Sequence, residues 1–335
     1  MGERTLSSPP SLLALYARAA VSMVPGASLL PFVPGGGGEI PQLRLALAAS
    51  RPDPERVAAY AKVCGFSLRD TLPPTYPHVL AFPLQMAAMA DGRFPFGAVG
   101  LVHVENRIVQ RRPVALGEEL EIAVRTGELE PHPSGRAFSL TTEGLVAGEP
   151  VWEGLSTFLR RGGASGGHEQ DGRRKGEGEQ DRGGQGDGEQ DGGGQGDGEQ
   201  DGRQRDGREQ GERALLATAE WRLAGDLGRR YAAVSGDRNP IHMHSLSAKA
   251  LGFPRAIAHG MWTKARCLAA LEGRLPDAFA VQVSFRKPIL LPAQVGFMER
   301  ERDAEIDFAV MDGARQKFHL QGSVETLESN GGGRK

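Results

Sequence analysis

Residues 161–212 contain no valine, isoleucine, leucine, phenylalanine, tyrosine or tryptophan, and within them GEQDRGGQGD is followed directly by GEQDGGGQGD. A stretch with no large apolar side chains cannot offset the entropy of ordering its backbone, so the sequence predicts a disordered tether there. The 335-residue chain must therefore fold as two blocks, roughly 1–160 and 213–325. The tether holds 19 of the 47 glycines, which removes the impression of a turn-rich β protein. As a flexible coil of about 52 residues it spans on the order of 40 Å, enough for the blocks to lie side by side.

Setting the tether aside also changes the charge. It carries 14 acidic and 8 basic residues, so the remainder has 32 bases against 28 acids where the whole chain has 40 against 42. A balance this mild argues against a nucleic-acid binder and suits attraction of an anionic small molecule. Cys64 and Cys267 fall one in each block and make no disulfide framework, which points to a reducing compartment. The most apolar run, Ser11–Val24, is broken by Arg18 and is too short to span a bilayer. It also lacks the basic start of a signal peptide, so a cytoplasmic location is expected.

The second block shows the plainer pattern. Ala217–Leu223 reads as a strand, Asp226–Ser235 as a helix, SGDRNPIHMH as a polar loop, and Ser245–Leu251 as a short helix closed by Gly252. A longer helix runs from about His259 to Glu272, and four strands follow: FAVQVSFRKPIL, QVGFMERE, AEIDFAVMD and RQKFHLQGSVETL. One long helix before an antiparallel run implies a sheet wrapped around that helix.

The first block repeats this plan. Tyr60–Gly65 (YAKVCG) lies over Tyr231–Gly236 (YAAVSG), Tyr76–Ala81 over Phe253–Ala258, and Arg111–Leu120 over Arg286–Val295. The copies disagree where chemistry would sit. Phe66, Leu68 and Thr71 replace Asp237, Asn239 and His242, and Phe82-Pro83 replaces His259-Gly260. Each proton-moving group is gone from the first block, and Pro83 has no N–H to donate. One catalytic half and one non-catalytic half follow from this.

In the second block, Asp237 and His242 flank a loop stiffened by Pro240, with Asn239 placed to orient it. A carboxylate and an imidazole on one rigid turn can share the proton work of adding or removing water. The same string also reads as an Asx turn ahead of a helix with His242 on the surface, and turn chemistry alone leaves both open. A metal site built from Asp237, His242, His244 and His259 is a third reading, disfavoured because His242 and His244 share a face only on a strand. Gly260 at a helix start offers a free N–H and close backbone approach to a developing oxyanion. Arg255, Lys264, Arg286 and Lys287 are candidates to meet phosphate, though surface cations are commonly only solvated.

The run YAAVSGDRNPIHMHSLSAKALGFPRAIAHGM strongly resembles the MaoC-like (R)-specific enoyl-thioester hydratase and 3-hydroxyacyl-thioester dehydratase family. The family's aromatic-x-x-x-S-G-D-x-N-P-I-H motif is matched from Tyr231 to His242, and the His-Gly pair follows at His259 and Gly260. The first block, through PPTYPHVLAFPLQM and VHVENRIVQRRPV, is similar to the non-catalytic half of double hot-dog members. The resemblance implies an α+β double hot-dog fold, two long helices wrapped by antiparallel sheet. Its domains would be an N-terminal extension (1–54), a degenerate half (55–160), the tether (161–212), a catalytic half (213–326) and a tail (327–335). It further implies Asp237 and His242 as the catalytic pair, Asn239 as an orienting residue, and the Gly260 amide as donor to a thioester carbonyl. No cofactor and no metal are expected.

The implied reaction is reversible hydration of a trans-2-enoyl thioester to a (3R)-3-hydroxyacyl thioester. The partner would be an acyl-CoA or acyl-carrier-protein thioester, and the protein a monomer of two hot-dog units or a homodimer. A non-catalytic acyl-thioester binding subunit and a hot-dog thioesterase are the alternatives.

Overall fold

The computed structural model describes residues 2–21, 38–98, 100–161 and 215–328. The tether predicted for 161–212 lies, apart from Arg161, outside the described residues, as does most of the tail. All four described segments belong to one compact unit.

The first half runs β1 (Gly2–Leu6), α1 (Leu12–Val21), β2 (Leu43–Ser50), α2 (Pro54–Cys64), α3 (Tyr76–Met89), β3 (Leu101–Gln110), β4 (Leu120–His132), β5 (Gly135–Val146) and β6 (Glu149–Arg161). The second half runs β7 (Leu216–Leu223), α4 (Leu227–Ser235), α5 (Pro240–Met243), α6 (Ser245–Ala250), α7 (Gly260–Ala270), a 3-10 turn (Glu272–Arg274), β8 (Phe279–Phe285), β9 (Ala293–Arg302), β10 (Glu305–Asp312) and β11 (Phe318–Thr326).

The eleven strands of the described residues form one sheet in the order β1-β2-β4-β5-β6-β3-β8-β11-β10-β9-β7. The order explains the repeat. Reading inward from each edge, β2-β4-β5-β6-β3 mirrors β7-β9-β10-β11-β8, and the copies meet where β3 pairs antiparallel with β8. At that seam Ile108 faces Val281, and both are fully buried. The fold is a double hot-dog with α3 and α7 as its two central helices.

β2 is the first-half counterpart of β7, yet it lies within the stretch 1–54 that the sequence left as an extension outside the family resemblance. Its burial alternates cleanly only from Leu43 to Leu47, too short a signal among the alanines of LRLALAAS.

The helices form where their ends are signalled. Asp53 caps α2 by accepting from the Glu55 N–H with Pro54 at the first position, and Gly65 closes it at φ +86°. Gly236 closes α4 in the same left-handed conformation, φ +77°. On α7, Ala265, Cys267 and Leu268 are fully buried against the sheet, as is Leu271 just beyond it. Tyr60 of α2 stands 6.0 Å, ring to ring, from Tyr231 of α4, so the two repeats also pack helix to helix.

Candidate active site

The Gly236 turn delivers Asp237 into a loop that its own side chain shapes. Oδ1 of Asp237 accepts from the Asn239 N–H at 3.1 Å, and the Asp237 N–H donates to the Ser235 hydroxyl at 3.2 Å. The predicted polar loop is not wholly irregular. Asn239 accepts from the Ile241 N–H and Pro240 holds the first position, so residues 240–243 wind into the single turn α5. That turn aims His242 inward, where it is 8% exposed, so the surface-histidine alternative falls away.

The Nδ1 of His242 lies 2.8 Å from the Ile257 carbonyl. A carbonyl only accepts, so Nδ1 carries the proton and Nε2 keeps its lone pair. His259, at the N-terminal cap of α7, places Nε2 3.0 Å from the Asp237 main-chain carbonyl and 3.8 Å from Oδ2 of the same residue. Its ring stacks on His242 with centroids 3.6 Å apart. One donor atom each from Asp237, His242 and His259 lie within 4.8 Å of one another. His244 is exposed and contributes nothing to that cluster.

Gly260 opens α7, whose first N–H groups have no carbonyl four residues back. The Phe285 ring lies so close that a Cβ at this position would sit 3.0–3.1 Å from three ring atoms. Only glycine leaves that space.

Electrostatics sort the acids from the bases. Burial pushes the Asp237 carboxyl up, but the facing His259 and His242, the Asn239 N–H and a tyrosine hydroxyl outweigh it and hold it below its usual range. Burial pulls His242 down against the opposing pull of Asp237 and the Ile257 carbonyl. Burial, with His242 alongside, takes His259 down to about 3. At neutral pH the pair is thus a carboxylate beside a neutral imidazole.

These groups face a cavity of about 230 Å³ that both halves line. The second half supplies Asp237, His242, His259 and Gly260; the first supplies His78 and Phe82 from α3, Val102 and His103 from β3, and Phe158 from β6. Arg286 and Lys287 also line it, with His319 beside them. Arg255 does not, and Lys264 is no surface cation at all. It is fully buried on α7 and donates to the Asn106 side chain at 2.6 Å and to the Asn106 and Val281 carbonyls.

Sequence patterning did not single out two residues that belong to this geometry. One is His259, which the sequence offered as the neighbour of Gly260 and as a disfavoured metal ligand but not as a partner of the Asp237 carbonyl. The other is Tyr16 of α1, whose hydroxyl donates to Oδ1 of Asp237 at 3.2 Å across 221 residues of chain. No local motif announces such a contact.

Residues 210–321 match the family described as MaoC like domain. The chain is 34% identical over 301 residues to 3-hydroxyacyl-thioester dehydratase X of Mycobacterium tuberculosis, covering 90% of this chain and 95% of that protein. The crystal structure of HtdX from the same organism covers 85% of this chain and 100% of its own, with 33% identity and a TM-score of 0.67. A MaoC-like dehydratase from Phytophthora Capsici, 17% identical, covers 88% of this chain and 97% of its own with a TM-score of 0.61, a likeness of fold alone. The chain belongs to the MaoC-like dehydratase family.

Proposed function

We propose that the protein interconverts trans-2-enoyl and (3R)-3-hydroxyacyl thioesters by adding and removing water, with Asp237 and His242 as the catalytic pair and Gly260 as the oxyanion donor. The observation that carries this is the gathering of Asp237, His242 and His259, one side-chain N or O atom from each within 4.8 Å of the others, beside the N-terminus of α7 and facing one cavity, with His242 Nδ1 tied to a carbonyl so that Nε2 is left as its acceptor. A carboxylate and an imidazole gathered in this way can hold the two hydrogens of a single water.

In hydration, His242 Nε2 takes one proton from that water while Asp237 accepts the other hydrogen and keeps it oriented. The hydroxide oxygen bonds to C3, the electrons move to the thioester oxygen, and the Gly260 N–H stabilises the enolate. The proton taken up by His242 then passes to C2. Dehydration reverses the steps: His242 takes the C2 proton and the hydroxyl leaves with it as water. His259 keeps the arrangement in place by donating to the Asp237 carbonyl.

The same geometry disfavours metal ligation, because stacked rings send their lone pairs along parallel planes rather than to one point, and His259 Nε2 is spent on a carbonyl. Arg286 and Lys287 suit the phosphates of a CoA or carrier-protein pantetheine arm. A relative at 38% identity over 66 residues, covering 20% of this chain and 42% of that protein, is 3-hydroxybutyryl-CoA dehydratase of Methylorubrum extorquens, which supports CoA thioesters as substrates here. The first half, with Phe66, Thr71 and Pro83 where the pair and the donor would be, serves as a non-catalytic cavity wall.

The test is direct. A short trans-2-enoyl-CoA loses its enoyl absorbance without releasing thiol, and Asp237→Asn and His242→Gln each lower kcat by about 10²–10⁴. Thiol release in place of hydration, or full activity in either variant, refutes the assignment.

A further inference from the structure

Helix α1 puts Leu12, Leu15 and Tyr16 on one face by their three- and four-residue spacing, and all three pack against the core. Leu12 is seated on the very turn that presents Asp237: a Cβ on Gly236 would meet its Cδ1 at 2.5 Å. Four residues on, the Tyr16 hydroxyl accepts from the Arg238 N–H at 2.7 Å and donates to Oδ1 of Asp237 at 3.2 Å. With the Asn239 N–H on the same oxygen, Oδ1 is fully engaged, and Oδ2 is left as the oxygen facing His259. Tyr16 does not line the cavity, whereas Asp237 does. The hydroxyl therefore reaches the carboxylate from behind the substrate space.

We propose that Tyr16 is a positioning residue for Asp237, fixing which carboxylate oxygen faces the reacting water. The proposal rests on the acid–base assignment above. The hydroxyl is suited to the task because it can act only one way. Burial, reinforced by the Asp237 charge, pushes its ionisation far above the ordinary tyrosine range, so it stays a donor, while its acceptor capacity goes to Arg238. The other groups facing Asp237 are His242 of α5, His259 at the start of α7, and Tyr231 of α4, with His78 of α3 and His103 of β3 across the cavity. None of these engages Oδ1; Tyr16 is its side-chain donor from outside the second half.

Tyr16→Phe keeps the ring and its packing and removes only the hydroxyl. One hydrogen bond to a charged group is lost, so kcat falls about tenfold to a hundredfold. KM for the enoyl thioester stays within about twofold of wild type, since Tyr16 is not among the residues lining the cavity. The acid limb of the kcat/KM profile moves to higher pH, because a carboxylate deprived of a donor is more easily protonated. Leu15→Ala loosens the same helix without touching the hydroxyl, and its acid limb stays at the wild-type position. Unchanged kcat and acid limb in Tyr16→Phe, or an equal shift in Leu15→Ala, overturns the proposal. Asp237→Asn separates the two levels of argument. If it is inactive while Tyr16→Phe is normal, the positioning role alone is wrong; if it is fully active, the assignment of Asp237 fails and this role with it.

Discussion

On the proposed mechanism, Gly260 combines two demands that no other residue meets together. Its N–H must stand free at the start of α7, and its missing side chain must leave room for the Phe285 ring. In Gly260→Ala the ring must retreat by a few tenths of an ångström, and the thioester carbonyl is displaced with it. We expect kcat to fall roughly tenfold to a hundredfold with little change in the unfolding midpoint, checked by steady-state kinetics beside thermal melting. A variant with wild-type kcat would place the oxyanion donor elsewhere. Asp237, Asn239, His242 and Gly260 were legible because they lie within 24 residues of one another and answer a specific motif. His259 was half legible, since its type was visible but its bond to the Asp237 carbonyl depends on how the loop folds back. Tyr16 was not legible at all: what joins it to the site is tertiary packing.

At the scale of elements, the two central helices are not true copies. α7 begins at Gly260, while α3 begins at Tyr76, so the aligned Pro83 lies inside its helix rather than at the start. The first half thus lacks the free N–H that α7 offers at Gly260 on two counts, by residue type and by the extra turns of helix around Pro83. The repeat predicted the missing N–H; only the structure shows the helix extended over that place. The seam between the halves has its own fastening. Lys264 of α7 reaches past β8 to Asn106 of β3, and burial pulls its ammonium far below the ordinary lysine range. Removing the Asn106 side chain leaves a buried Nζ short of an acceptor. Asn106→Leu should therefore destabilise the fold by about 1–3 kcal/mol, read as a lower urea midpoint at unchanged slope. A neutral result would mean that the two main-chain carbonyls suffice for Lys264. The sequence groups this lysine with surface cations, because nothing local distinguishes a lysine that snorkels outward from one that bridges two strands from a buried helix face.

For the whole molecule, the cavity between the halves gathers buried imidazoles from both, and this ties stability to pH. Burial, together with the charge of Lys264, holds His78 down to about 4; burial and the nearby His78 hold His103 at about 3; His259 likewise lies at about 3. In the unfolded chain each titrates near 6.5. Between these values the unfolded chain binds more protons than the folded one, so acid favours unfolding. The stability is complete above about 6.5 and is lost progressively as the pH falls toward 4, by about 1.4 kcal/mol per pH unit for each imidazole once the pH is well below 6.5. Asp237 acts in the same direction, since a depressed carboxyl gives up its stabilisation as the pH falls through its folded value. The thermal midpoint should accordingly be highest near neutrality and drop steadily from about pH 6 to pH 4. Replacing His78 and His103 together by glutamine should flatten that descent, because both titrations leave the balance while His259 remains. The measurement is Tm against pH for the two proteins side by side. Parallel curves would mean that the imidazoles of the first half take up protons as readily folded as unfolded, and that the shared cavity is wetter than its lining implies.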